Sequence, residues 1–153
     1  MISFDEKGNP LPIGINPLSI DEFALTFLFS TTREEIYVNY MRYISDIQKD
    51  LMREFTNWIG GSFTTKKEKP SDIDLVNLFN YSTDLNSKHT VLMRFLTLGG
   101  SKLTYKVDGY FIPVYPATDP RYAITEFWLN HWKNFFGQDR FNNPKGIIEI
   151  SVN

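Results

Sequence analysis

The sequence predicts one domain of the α/β or α+β class: a mixed, mainly antiparallel β-sheet of about four strands, flanked by helices. Three observations predict it. Residues 31–55 repeat apolar side chains at helical spacing, through Ile36, Tyr40, Ile44, Ile47, Leu51 and Phe55. Short apolar runs near 57–60, 72–79, 103–115 and 146–152 read as strands. Gly and Pro punctuate the segments between them. With 153 residues, a single core suffices to bury roughly 70% of the unfolded surface.

In chain order, residues 1–18 hold Pro10, Pro12, Gly14 and Pro17 and show no periodicity. They read as an extended arm, separate from the domain at 19–153 but packed on it through Leu11, Ile13, Ile15 and Leu18. Ser19 to Glu22 has the form of a capping box, opening a short helix to about Phe29. Thr31-Thr32-Arg33-Glu34 has the same form and opens the long helix. Residues 84–98 read as a further helix bearing His89, stopped by Gly99-Gly100. Leu103, Tyr105 and Val107 alternate with polar residues, a half-buried strand that runs past Gly109 to Tyr115. Asp119-Pro120-Arg121 starts a helix with an apolar face of Ile124, Phe127, Trp128, Trp132 and Phe135, ended by Gly137. Its aromatic stripe reads as core rather than as a base platform, and His131 as a packed or surface residue rather than a metal ligand. A polar loop with Arg140 and Lys145, two residues suited to phosphate or partner contacts, precedes the last strand.

Composition narrows the function classes. The formal net charge is −2, so the chain as a whole does not attract nucleic acid. The absence of cysteine removes disulfide frameworks, thiolate metal sites and thiol nucleophiles. No apolar run approaches the roughly 20 residues of a membrane span. The first residues lack the charged and apolar regions of a signal peptide. The expectation is a cytoplasmic protein without membrane contact.

The chemistry lies between Trp58 and Val76. Gly60-Gly61-Ser62 follows an apolar strand, and Lys66 and Lys67 lie in the loop beyond it. Glycine lets a backbone approach a ligand closely, and turn N–H groups form anion-binding nests. The next strand opens with Asp72-Ile73-Asp74. Alternation puts both carboxylates on one face, their Cα atoms roughly 6.6 Å apart. Two carboxylates about 6 Å apart repel by about 3 kcal/mol at an effective dielectric of 20. A hard cation such as Mg²⁺ relieves that repulsion. The unit therefore offers a phosphate cradle beside a metal clamp.

Gly61-Ser62, nine intervening residues and Asp72-Ile73-Asp74 together resemble the signature of the polymerase-β-type nucleotidyltransferase superfamily. Pro70-Ser71-Asp72-Ile73-Asp74-Leu75 is especially similar to the minimal nucleotidyltransferases, including antitoxins of bacterial toxin–antitoxin pairs. Leu11-Pro12-Ile13-Gly14 and the Arg140-to-Gly146 loop resemble small nucleotidyltransferase-like proteins of bacteria and phage. The resemblance implies a single nucleotidyltransferase-like domain, two Mg²⁺ or Mn²⁺ ions, an NTP substrate and a connection with phage defence. It also implies a third acidic residue on a later strand. Asp108 fits by position, because aspartate is depleted in strand interiors and its place needs a reason. Glu149 is the weaker alternative.

By that resemblance Asp72, Asp74 and Asp108 are the catalytic and metal-binding residues. Gly60, Gly61, Ser62, Lys66 and Lys67 bind the nucleotide. The expected reaction moves an NMP from NTP to an acceptor hydroxyl on a protein, a small molecule or an RNA end. Phe63-Thr64-Thr65 departs from the small or basic residue common after the Gly-Ser pair, and no separate nucleic-acid-binding domain is expected. The competing reading is a non-catalytic antitoxin or regulatory module that binds a protein partner such as a toxin. A nucleotide sensor without turnover is a third.

Overall fold

A computed structural model describes residues 1–153. The central sheet has five strands: β3 (Gly14–Leu18), β4 (Phe55–Gly60), β5 (Ile73–Asn80), β6 (Val107–Val114) and β7 (Gly146–Val152). Their order is β3-β7-β4-β5-β6. The sheet is mixed, as expected. Its pairings divide evenly, β4 being antiparallel to both neighbours and the outer pairs β3–β7 and β5–β6 parallel. Two short strands, β1 (Ser3–Phe4) and β2 (Pro10–Leu11), form a separate antiparallel pair.

The arm at 1–18 is more ordered than its composition suggested. Residues Gly14 to Leu18 form an edge strand of the main sheet, in register with Gly146 to Ile150. Pro17 interrupts the donor pattern without cost because an edge strand needs partners on only one side.

Helices cover both faces. The helix α1 (Ile20–Phe27) starts with the expected capping box: Ser19 Oγ accepts from the Glu22 N–H and Glu22 from the Ser19 N–H. The long helix α2 (Thr31–Asp50) is capped one residue earlier than expected, by Ser30. That shift puts Arg33, not Glu34, at the third helical position. Ile36, Tyr40, Tyr43, Ile44 and Ile47 of α2 pack with Phe23 and Phe27 against Ile59, Ile73, Leu75, Phe79, Ile148 and Ile150. The opposite face carries a smaller cluster, in which Trp132 and Phe136 of α6 (Tyr122–Phe136) meet Trp58, Val76, Ile112 and Ile147. Odd positions of β5 thus face α2 and even positions face α6.

Between β5 and β6 the expected single helix is broken. Two one-turn helices, α3 (Thr83–Ser87) and α4 (His89–Met93), meet at Lys88, and a 3-10 turn spans Thr97–Gly99. The strand expected from 103 begins only at Val107. Residues Ser101–Tyr105 form the short helix α5, bracketed by left-handed Gly100 and Lys106. Helical turning leaves Leu103 in solvent and buries Tyr105, whose hydroxyl donates to Asp46 at 2.6 Å. Three alternating apolar residues match either geometry locally; the left-handed residues on both sides select the helix.

A polar chain lies within the α2 face of the core. Tyr40 donates to Asn57, Asn57 to Asn77, Asn77 to Tyr43, and Tyr43 to the Phe95 carbonyl. All four side chains are buried, and no buried side-chain polar atom lacks a partner.

Candidate functional site

Three strands bring the acidic residues together. In the β-ladder Gly60 pairs with Asp74, and Asp74 pairs with Asp108. A row therefore runs from the end of β4, across the start of β5, to the second residue of β6. Asp74 lies on the α6 side of the sheet, and Asp72, two residues earlier, immediately precedes β5. Burial, then the Asp72 charge, then the hydrogen bond and charge shared with Asp108 raise the Asp74 carboxyl to about 7. Lys102 opposes that rise, and its ammonium stands 3.4 Å from Asp72 Oδ2.

The Gly-Ser turn is built against this row. Gly61 has φ +66°, and a Cβ there would come 2.0 Å from Asp74 Oδ2. Any L side chain would meet both a backbone penalty and the carboxylate. Gly60 is closed to substitution by α6, where a Cβ would come 2.3 Å from the Phe136 ring. The Gly61 carbonyl accepts a 2.8 Å bond from Lys145 Nζ. Lys145 is 2% exposed. Burial lowers its ammonium to about 8, while Asp74 and Asp139 act to keep it charged.

The loop beyond the turn is held from beneath by Arg33, which is fully buried. Its guanidinium donates to the carbonyls of Phe27, Phe63, Thr65 and Lys67 and lies over the rings of Phe29 and Phe63. Burial lowers its pKa to about 10. Phe63 and Thr64, which follow the Gly-Ser turn, are fully buried.

Gly61, Ser62, Lys66, Lys67, Asp72 and Asp74 all line one cleft of about 1270 Å³. Lys7, Lys102, Arg140 and Lys145 add positive charge to its wall. The Lys66 ammonium is drawn to aromatic faces, 4.5 Å from the centre of the Phe4 ring and 4.7 Å from that of Phe29. Lys67 is exposed. Asp108 does not itself line the cleft but is hydrogen-bonded with Asp74, which does; its carboxylate also accepts from the Thr97 hydroxyl, which in turn accepts from the Gly109 N–H at 2.8 Å. Glu149, the alternative third acid, accepts from Trp58 Nε1 at 2.9 Å, in β7 on the far side of β4 from Asp74. Gly60 contributes its place in the ladder rather than a cleft surface.

The donor set fits a hard divalent cation by chemistry. It is all carboxylate oxygen, and the crowding that raises Asp74 is the crowding such a cation relieves. No group of three or more His, Cys, Asp or Glu side chains stands ready to hold a metal ion as arranged. Of the residues that complete the site, sequence reasoning named Lys145 only as a loop residue for phosphate or partner contact, and it passed over Lys102, Thr97 and the buried role of Arg33. No local pattern marks them: each acts through a residue distant in the chain.

No helix is long and apolar enough to cross a membrane. The family model described as "Family of unknown function (DUF6932)" matches residues 2–151, and the chain belongs to that family. No curated protein and no solved structure matches it.

Proposed function

We propose that this DUF6932 chain is a metal-dependent nucleotidyltransferase, transferring a nucleoside monophosphate from an NTP to an acceptor hydroxyl and releasing pyrophosphate. The observation behind this reading is the row of Gly60, Asp74 and Asp108 across three strands, beside a Gly61-Ser62 turn that tolerates no side chain at Gly61. Acceptor classes compatible with the open cleft are a protein side chain, a small molecule and an RNA end.

Phosphoryl-type transfer asks little covalent chemistry of a protein; it asks for positioning and neutralisation of charge. The Gly61 and Ser62 N–H groups and the Ser62 hydroxyl would bind the phosphates distal to the reacting one. Lys145, to which the Gly61 carbonyl is bonded, would keep that carbonyl from repelling those oxygens. Lys67 and Arg140 add charge at the mouth. Asp72, Asp74 and Asp108 would hold Mg²⁺ or Mn²⁺, which when bound neutralises the phosphate oxygens and lowers the pKa of the attacking hydroxyl. Asp108 would orient that hydroxyl and accept its proton, with Thr97 fixing the carboxylate rotamer.

Calorimetric titration of ATP and GTP tests the proposal, run with Mg²⁺, with EDTA, and on the D72A/D74A variant. Metal-dependent binding that disappears in the variant is expected, followed by transfer from labelled NTP to an acceptor. A folded protein that binds no NTP under any condition would sink the reading.

A second reading is favoured by one surface. On α6, Ile124, Phe127, Trp128 and Phe135 are exposed, with exposed His131 between them, at spacings of three and four residues. This solvent-facing stripe suits a non-catalytic antitoxin or regulatory module that acts by contact with a protein such as a toxin. D72A separates the two readings, since a contact module keeps its partner affinity and an enzyme loses its function.

A further inference from the structure

The cleft is polar almost throughout. Among its 22 lining residues the hydrophobic ones are Phe135, Phe136 and Phe141. Phe136 is buried against Gly60 and serves the core. Phe135 and Phe141 are 61% and 77% exposed. A single exposed phenylalanine is ordinary. Here two come from separate elements and line the same charged cleft, and although Phe135 packs on Trp132 and Phe136, both leave most of their surface open to it.

The Phe135 ring is held by its neighbours, and the backbone that carries Phe141 is held by Asp139. Phe135 sits on α6 next to Phe136, whose ring touches the start of the Gly-Ser turn. Its own ring stacks on that of His131, 6.4 Å between centroids and 8° between planes. Phe141 lies at the tip of the 137–145 loop, which Asp139 organises. Asp139 accepts from the N–H groups of Phe141 and Asn143, from the Asn143 side chain, and from Asn9 in the arm. Lys7 also binds Asn143, at 2.8 Å. Lys145, at the end of the same loop, reaches Gly61. Phe141 and Lys145 are four positions apart, so their Cα atoms are at most about 14 Å apart. Two apolar aromatic side chains thus line the same charged cleft as the turn proposed to take phosphates.

We propose that Phe135 and Phe141 form a nucleobase platform, so that a nucleoside triphosphate lies with its phosphates on the Gly61-Ser62 turn and its base stacked on these rings. This rests on the nucleotidyltransferase reading of the same cleft. Stacking recognises the face of a base rather than its edge, so all four bases are accepted and the larger purines bind more tightly than pyrimidines. Trp128 and Trp132 take no part: neither lines the cleft.

Calorimetric titration with Mg²⁺-ATP, Mg²⁺-CTP and Mg²⁺-tripolyphosphate, on the wild type and on F135A, F141A and F141W, tests this. Melting temperatures of the variants should match the wild type, because both rings are solvent-facing. ATP should bind more tightly than CTP, and CTP more tightly than tripolyphosphate. F141A and F135A should weaken ATP by roughly 5- to 150-fold, the stacking worth of one base, and leave tripolyphosphate within about twofold. F141W should hold or improve ATP binding. The platform is overturned if folded F135A and F141A bind ATP as the wild type does, or if ATP binds no better than tripolyphosphate. In both cases the phosphate site stands. If neither ATP nor tripolyphosphate binds the wild type, the nucleotidyltransferase reading itself falls and the platform with it.

Discussion

At the scale of single residues, the site gathers charged groups that burial moves off their ordinary pKa values. Lys145 shows the cost. Its ammonium is buried and depressed to about 8 from 10.5. A lysine whose folded pKa lies below its unfolded value binds fewer protons folded than unfolded in the window between them. Stability therefore rises with pH from about 8 toward 10.5, and the penalty of the buried charge is fully present below 8. Urea unfolding of the wild type and K145M at pH 7.5 and pH 10 measures it. The wild type should gain about 2 kcal/mol relative to the variant across that step. A constant difference would mean that Lys145 is solvated in solution. The nearness of Asp72 to Asp74 was legible because it follows from local spacing, whereas Asp108 was singled out by the resemblance and its pairing with Asp74 depends on the parallel β5–β6 register. Lys145 was legible only as a polar loop residue, since its burial depends on a contact 84 residues away.

At the scale of elements, α2 does more than cover the sheet. The cap at Ser30 sets the helix phase so that Arg33 turns inward beneath residues 63–67, and one planar guanidinium collects four carbonyls. A lysine carries the charge without the fork. R33K should lose about 3 kcal/mol of stability, as a buried charge loses most of its acceptors. Amide exchange of residues 63–67 should speed up more than that of β4. Uniform exchange across both segments would show that Arg33 serves the core and not the loop. Sequence reading placed Arg33 in a capping box because Thr31 to Glu34 fits the pattern; Ser30, one residue earlier, fits it less well yet caps the helix. The β5–β6 connection was misread for a similar reason. Alternation over Leu103 to Val107 is too short to separate strand from helix, and the left-handed Lys106 that decides it carries no strong sequence signal.

At the scale of the molecule, one sheet with two unequal faces organises everything. The α2 face holds the larger core and the polar chain of Tyr40, Asn57, Asn77 and Tyr43; the α6 face holds the smaller core and the cleft. Four of the five strands were legible, because their apolar runs are punctuated by Gly, Pro and Asp. The edge strand β3 was not, since a proline-rich segment joins a sheet only when a partner edge is waiting for it. The outward stripe of α6 was read as core, as helical aromatic spacing usually is, and the structure leaves much of it in water. F127E/W128E should shift stability by about 1 kcal/mol or less, as surface changes do, with ATP binding intact by calorimetry. Loss of ATP binding would tie the stripe to the cleft rather than to a separate partner.

The place of β7 has a consequence for synthesis. β4, at the centre of the sheet, pairs with β5 on one side and with β7 on the other. On the ribosome β5 follows β4 at once, but the β7 edge stays open until some 90 more residues are made, roughly 5–18 s at 5–20 residues per second. Throughout that interval β4 offers unpaired backbone groups to any neighbouring nascent chain. The lysine that holds the Gly-Ser turn emerges in the same late segment. A growing chain is therefore both sticky and without its completed site, and translation speed becomes a determinant of yield.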